Sequence, residues 1–341
     1  MAKCYAYPDT KQMRDMNRSI KETEQFTGCD ENGTPQYDNT IPLPIATFIG
    51  TVKVHGTNAG IGYDPETKAL WAQSRNHVLS EKSDNCGFHT FVMKNKDFFT
   101  KTLSSLTTNF PIVAYGEWFG AGIQKNVAVS TLQRRLMIFA IKLINKDERN
   151  PIWLPRGDIE LFHSPEDFIF NTYNFPVYEI DIDFNNPQTT QNQLVDITNQ
   201  VEKECPVGKY FGVSGIGEGI VWSNPHYGCF KVKGKEHSSS NVTTLASVDT
   251  EKLASIDDFV KYAVTENRLN QGIEQVFTIK GLQPDIKQMK SFIIWITGDV
   301  TKEESHTLKD NGLIPEDVGK AVATRARQWF ITTFFKRLSQ K

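Results

Sequence analysis

Residues 48–54 alternate in polarity, and read as an extended segment they place Phe48, Val52 and Val54 on one face. Lys53 and His55 fall on the other face, at the mouth of a Gly56-Thr57-Asn58 turn. The alternation predicts a strand whose apolar face packs on a core. Further strands are expected over residues 58–63 and 69–75, separated by the turn Asp64-Pro65-Glu66-Thr67. A helix is expected over 88–106 and a strand over 112–118. The apolar run RLMIFAIKLI, residues 135–144, has the length of a buried strand. Residues 145–210 are mixed, with Pro- and Asn-rich turns and one helix over 189–204. Short strands at 219–222 and 230–233 flank the turn Asn224-Pro225-His226-Tyr227-Gly228. From about residue 250 the period changes. Ile256, Phe259, Val260, Ala263 and Val264 recur at helical spacing, and Leu269, Ile273, Val276 and Phe277 continue it. The pattern places a β-rich domain before a boundary near residue 245 and a helical one after it. Residues 1–44 read as a polar lead-in whose turn-rich part, 28–44, wraps the surface.

Composition changes this picture little. A chain of 341 residues with 39% hydrophobic and 23% charged residues is ordinary for a globular protein. The net charge of −2 gives no global basic signature, so any nucleic-acid contact must come from a local patch. One such patch is the stretch 318–341, which carries Lys320, Arg325, Arg327, Lys336, Arg337 and Lys341 and no acid. It suits a surface that grips a duplex, and equally the solvated face of a terminal helix. The five cysteines are scattered and never in C-x-x-C spacing, which argues against a disulfide framework or zinc site and for a reducing, cytoplasmic setting. The first residues contain no apolar signal region, and no apolar run approaches membrane-spanning length.

A lysine ending a strand beside a histidine and a glycine turn suits a nucleophilic amine presented to a phosphate. Alone, such a lysine is most often a solvated surface residue. Four further stretches supply partners. Gly116-Glu117-Trp118-Phe119-Gly120-Ala121-Gly122-Ile123-Gln124 puts a carboxylate at a strand end before a glycine-rich loop. Phe139 sits in the buried-type strand, Glu218 opens Gly219-Ile220-Val221-Trp222, and Phe230-Lys231-Val232-Lys233 alternates, with Lys231, Lys233 and Lys235 on one face. Singly these are a turn, a solvated acid and an exposed lysine edge. Together, and in this order, they resemble the covalent nucleotidyltransferase superfamily of polynucleotide ligases and mRNA capping enzymes. Within it, K-x-H-G-T-N at Lys53, the stretch GEWFGAGIQKN and the downstream VTENRLN resemble the phage-type RNA ligase family that seals nicks in double-stranded RNA, shared with trypanosome editing ligases. The resemblance runs from about residue 45 to 240 and continues more faintly beyond.

The resemblance implies an α+β fold: an ATP-grasp-like nucleotidyltransferase domain of antiparallel sheets with flanking helices over 1–245, then a small all-helical domain over 246–341. It implies an ATP-dependent RNA ligase that joins 3′-hydroxyl and 5′-phosphate ends through lysyl-AMP and an adenylylated RNA end, with Mg²⁺ or Mn²⁺. Lys53 would be the nucleophile. Its amine must be neutral to attack, and Lys231, Lys233 and the metal would supply the like charge that disfavours its ammonium form. Glu117 would hold the ribose hydroxyls, Phe139 would stack on adenine, and Glu218 would serve the metal. His55 would act as pyrophosphate leaves, Arg75 would touch phosphate at the nick, and Asn58 would orient the last attack. Val52 stands where the family often has an acid, so adenine contacts there would come from backbone. RNA ends are the implied partner, for a monomer in the cytoplasm (host cytoplasm for a phage chain). A DNA ligase, a GTP-using capping enzyme and a non-catalytic RNA-end-binding module are the rivals. A Rossmann site at GVSGIGEGIVW is set aside, because the spacing is not G-x-G-x-x-G and no ribose-binding acid follows at the expected distance.

Overall fold

The computed structural model of the chain describes residues 2–145, 147, 150–234, 256–278 and 282–334. The chain divides into two compact units: Met1–Thr10, Ile49–Glu179 and Gln200–Trp222 form the first, and Lys11–Phe48, Ile180–Asn199 and Ser223–Lys341 the second. The boundary expected near residue 245 lies outside the described residues, as do Lys235, Lys336, Arg337 and Lys341.

The first unit is built on a six-stranded sheet. Ile112–Phe119 pairs antiparallel with Thr57–Asp64 and Arg135–Leu143, and Ala69–Ser74 extends the sheet beside Thr57–Asp64. On the far side Ile169–Asn171 pairs with Arg135–Leu143 in parallel, and Ile152–Trp153 pairs with it antiparallel. The sheet is covered on one face by helices. The single helix expected over 88–106 is two, Phe88–Lys94 and Lys96–Ser105. They part at Asn95, which leaves helical geometry at φ −101° and turns its amide back to donate to the Phe91 carbonyl at 3.1 Å. Phe88, Val92, Phe99 and Leu103 pack from these helices against Ile61, Ala114, Trp118 and Ile138. Each large side chain buried there contributes about 1.5–3 kcal/mol.

The opposite face carries Trp71, Val113 and Tyr115, and the start of the chain lies across it. Gln73 donates its amide to the Tyr5 carbonyl at 2.6 Å and accepts from the Tyr5 N–H at 3.2 Å, while the Tyr115 hydroxyl donates to the same carbonyl at 2.9 Å. Residues 28–44 are exposed or half-buried, whereas the earlier part of the polar lead-in is structured. Its first residues cover a sheet face, and residues 13–24 form a helix, Met13–Glu24, that buries Met13, Met16 and Ile20 at helical spacing.

In the second unit Lys11–Gln12 pairs in parallel with Gly228–Lys233, setting Gln12 opposite Lys231. Its helices Ile256–Ala263, Glu266–Val276, Met289–Glu303 and Pro315–Phe334 enclose Phe259, Phe277, Phe292, Ile296, Val322 and Phe330. VTENRLN builds one corner of this core. Thr265 caps a helix by accepting from the Arg268 N–H at 3.2 Å. The fully buried Arg268 guanidinium then meets Asp299 at 2.8 Å and Glu304 at 3.2 Å. Glu304, also fully buried, accepts from Arg14 at 2.7 Å and from the Tyr262 hydroxyl at 3.2 Å. Each charge is paired, which makes its burial tolerable. Among the described residues no helix is long and apolar enough to cross a membrane.

Candidate active site

The lysine strand is Ile45–Lys53, and Phe48, Val52 and Val54 are buried as the alternation requires. Lys53 and His55 are thereby turned to the other side. Within the first unit, Ile49–Lys53 lies beside Gly219–Trp222 of the strand Gly219–Asn224. A carboxylate just before that strand can reach the lysine. Glu218 does so: its Oε2 lies 2.7 Å from Lys53 Nζ and 3.4 Å from His55 Nδ1, and the residue is only 2% exposed. The close strand approach depends on Gly50, where a Cβ would come within 2.7 Å of the Trp222 ring.

The turn after the lysine is fixed from the neighbouring strand. Glu117 Oε1 accepts from the Gly56 N–H at 3.0 Å, and Gln124 donates its amide to the Gly56 carbonyl at 2.8 Å. A Cβ at Gly56 would collide with the Trp118 carbonyl oxygen and lie 2.9 Å from Glu117 Cγ, so only glycine fits between these partners. Burial pushes the Glu117 carboxyl up to about 7; Lys53 opposes the rise and Glu218 adds to it. Asn58 stands opposite Glu117 in the strand register. Gln124 belongs to the glycine-rich stretch after Glu117. Its Oε1 is buried and without a hydrogen-bond partner among the described residues.

The other expected residues are placed as follows. Phe139 is half-buried, with the Tyr7 ring edge-on at 5.0 Å. Arg75 forms an ion pair with Asp9 on the first unit's N-terminal segment. The Val52 side chain is in the core, which leaves only its backbone for a ligand. Lys231 and Lys233 belong to the second unit, on the strand Gly228–Lys233, whose Phe230 and Val232 are buried as their alternation requires. Lys231 Nζ lies 3.1 Å from Glu303 Oε1. The structure thus brings together Lys53, His55, Glu117, Asn58 and Glu218 in one unit, from positions 165 residues apart at the extremes.

Glu218, one partner of Lys53, is an anion. A neighbouring carboxylate favours the ammonium form, where neighbouring cations would disfavour it. The pair is nonetheless apt for nucleophilic chemistry, because any neutralisation of Glu218 removes what holds the proton on Nζ. Among the described residues no group of three or more His, Cys, Asp or Glu side chains could hold a metal ion. The donors present, Glu218 with Glu117 nearby, fit a Mg²⁺-type ion that takes one or two carboxylates and fills its octahedron with phosphate oxygens and water.

The RNA ligase family model matches residues 46–235. The chain belongs to the RNA ligase family. Among solved structures, an alanine variant of the Naegleria gruberi RNA ligase with ATP and Mn is 16% identical, with a TM-score of 0.44 over 67% of this chain and 56% of that one. The Naegleria gruberi RNA ligase with PPi is likewise 16% identical, at a TM-score of 0.42 and the same coverage. This chain thus spans 56% of the length of those solved chains. No curated protein sequence matches it.

Proposed function

We propose that the protein is an ATP-dependent RNA ligase that joins a 3′-hydroxyl to a 5′-phosphate, at nicks in duplex RNA, through a lysyl-AMP intermediate. The observation that carries the reading is the Lys53 amine held 2.7 Å from the buried Glu218, with His55 on the same carboxylate oxygen, in a chain of the RNA ligase family. K-x-H-G-T-N and GEWFGAGIQKN favour the nick-sealing branch, and the names of the solved relatives, with ATP and Mn or with PPi, accord with the cofactors.

Lys53 Nζ attacks the α-phosphorus of ATP, the bond from phosphorus to the bridging oxygen breaks, and pyrophosphate leaves with the electron pair. A divalent cation bound at Glu218 supplies charge neutralisation at the phosphates. With Glu218 neutralised by the cation, the lysine proton leaves to solvent, and His55 steadies the same carboxylate oxygen. Glu117, ionised, accepts from the ribose hydroxyls, and Phe139 gives the adenine a stacking surface. Lys231 and Lys233 offset charge on the α-phosphate. An oxygen of the RNA 5′-phosphate then attacks the AMP phosphorus and the N–P bond to Lys53 breaks; the 3′-hydroxyl, losing its proton to solvent, attacks the RNA 5′-phosphorus and AMP leaves, with Asn58 orienting the attack and Arg75 meeting phosphate at the nick. The domains of this enzyme are read as a catalytic region over 1–245 and a helical region over 246–341.

Incubation with α-labelled ATP or GTP and Mg²⁺, followed by a denaturing gel, tests the reading. Acid-labile label from ATP is expected. Label from GTP alone would move the protein to the capping branch, and no label from either on folded protein would make it a non-catalytic RNA-binding module. Sealing of nicked duplex RNA in preference to nicked DNA is the expected second result.

A further inference from the structure

We propose that the first unit carries a further contact for RNA: Arg135, walled by the Phe168 and Phe211 rings, takes a backbone phosphate of a single-stranded segment, and the exposed Tyr210 ring takes an adjoining base. The inference deepens the ligase reading above and rests on it for the choice of RNA. It starts from the face to which strand alternation turns Arg135. The residue opens the strand Arg135–Leu143, opposite Phe119 in the register. Leu136 and Ile138 go to the helix-covered core, so Arg135 goes to the other face. It is only 7% exposed. A guanidinium keeps its charge in a protein, and a charge so buried is ordinarily paired. Arg268 shows the ordinary solution, with Asp299 at 2.8 Å and Glu304 at 3.2 Å. Arg135 has none of this. Among the described residues no carboxylate meets it, and its one hydrogen bond runs from Nε to the Gln133 carbonyl at 3.0 Å. Burial lowers its pKa, with no acid to offset the shift.

Aromatic rings stand where carboxylates would. The guanidinium carbon lies 3.8 Å from the centroid of the Phe211 ring and 5.8 Å from that of Phe168. Ring faces attract the cation but leave the N–H groups at its edge without an acceptor. The two terminal nitrogens have no protein partner among the described residues, and neither is closed off from solvent. A phosphate completes a fork of this kind, since its oxygens match the paired donors. The walls are fixed beforehand. Phe168 sits at φ +59°, a left-handed conformation that bulky residues rarely adopt. Its carbonyl accepts from the Leu136 N–H at 3.0 Å, which ties it to the arginine's own strand. Phe211 packs edge-on against Phe170 at 5.0 Å. Tyr210 carries the same wall to the surface: its ring meets Phe211 at 4.8 Å and Phe175 at 5.3 Å, both edge-on, yet the residue is 56% exposed. A base stacked inside a duplex cannot lie on such a ring, whereas an unpaired base can. The exposed ring therefore favours a single strand over a free phosphate as the source of the anion.

The full-length chain and its Tyr210→Ala, Arg135→Gln and Arg135→Lys variants are titrated into a labelled single-stranded oligoribonucleotide over a range of salt. Thermal melts and covalent labelling from ATP are run beside them. Tyr210→Ala removes an exposed ring, so it is expected to melt and to label from ATP as the wild type does. It is expected to bind the oligonucleotide about tenfold more weakly, with the salt dependence unchanged. Arg135→Gln is expected to bind more weakly and to lower the slope of log affinity against log salt by about 0.7, the share of one single-strand phosphate. Arg135→Lys, which keeps the charge, keeps most of that slope. Wild-type affinity in Tyr210→Ala overturns the proposal, as does an unchanged slope in a folded Arg135→Gln, which would make Arg135 a cation–π strut alone. Should Arg135→Gln fail to fold, Tyr210→Ala decides by itself. A wild-type chain that labels from ATP but leaves single-stranded RNA unbound also overturns it. Absence of label from the wild-type chain refutes the ligase reading separately, because the binding titration contains no ATP.

Discussion

Two lysines in this protein are each held by a buried or nearly buried glutamate, and the surroundings of the two pairs push in opposite directions. Lys53 meets Glu218 at 2.7 Å in the first unit, and Lys231 meets Glu303 at 3.1 Å in the second. Around Lys53 there is a second carboxyl, Glu117, which burial, opposed by Lys53 and aided by Glu218, pushes up to about 7. Around Lys231 there is a second cation, Lys233, and the carboxyl is held down to about 2. The first cluster is rich in acid and is completed by adding positive charge, whether a proton or a divalent cation. In the second, one carboxylate lies beside two lysines. In the ligase reading proposed above, the lysine of the first pair is the group that would change protonation.

Removing the changeable lysine gives the largest expected effect. Lys53→Ala leaves no amine to form the phosphoramidate, so covalent labelling from ATP falls to background while the fold persists. Label retained by that variant would place the nucleophile elsewhere. Lys231→Ala, by contrast, removes no bond-forming atom, and slow labelling remains.

The next effect falls on stability, in the network behind Glu303. Glu304→Gln takes away the carboxylate that the buried Arg268 shares with Arg14, leaving Asp299 at 2.8 Å from Arg268 and Asp15 at 3.9 Å from Arg14. Breaking a buried pair from one side costs about 3–5 kcal/mol. Denaturant titration is expected to show a loss of that order. A change below about 1 kcal/mol would mean that water or rearrangement screens the arginines, as at a surface pair.

How much of this was legible follows from the range of the interactions involved. The lysine strand was readable because period-two burial is local: Phe48, Val52 and Val54 are buried and Lys53 is not. The strand at 230–233 and the helix at 256–263 were readable for the same reason. The break at Asn95 was not, because it depends on one side chain bonding to its own helix inside an otherwise unbroken pattern. The helix Met13–Glu24 is hard to see in the sequence, because the polar residues between Met13, Met16 and Ile20 outweigh their helical spacing. In the site, the motif order pointed to Lys53, Glu117 and Glu218, but not to who holds whom. Glu218 as the lysine's partner, Gln124 on the Gly56 carbonyl, and Glu303 on Lys231 are contacts across 165, 68 and 72 residues. No local period encodes them. Arg268 had a signal, lying in the quoted VTENRLN, but its role is burial under paired charge, which a motif does not state.

The smallest expected effect concerns the acid-rich cluster alone, and it fixes the sign of the comparison. With its carboxyl raised to about 7, Glu117 is largely protonated below that pH and ionised above it. A carboxylate accepts from ribose hydroxyls at full strength, and a protonated carboxyl has lost part of that capacity. The proton and the nucleotide therefore compete, and KM for ATP is expected to fall as pH rises through about 7, by a few-fold, consistent with one charge-assisted hydrogen bond of about 1.5–3 kcal/mol partly offset by solvent. In Glu117→Gln the neutral amide cannot titrate, so KM stays at the high, low-pH level and this contribution to the slope disappears. The variant also subtracts the titration of the nucleotide's own terminal phosphate, which both proteins share. Labelling rates measured against ATP concentration from about pH 6 to 8 decide the matter. Equal slopes in the two proteins would mean that Glu117 does not titrate where the ribose binds, and its hydrogen bond to the Gly56 N–H would then be a matter of turn geometry alone.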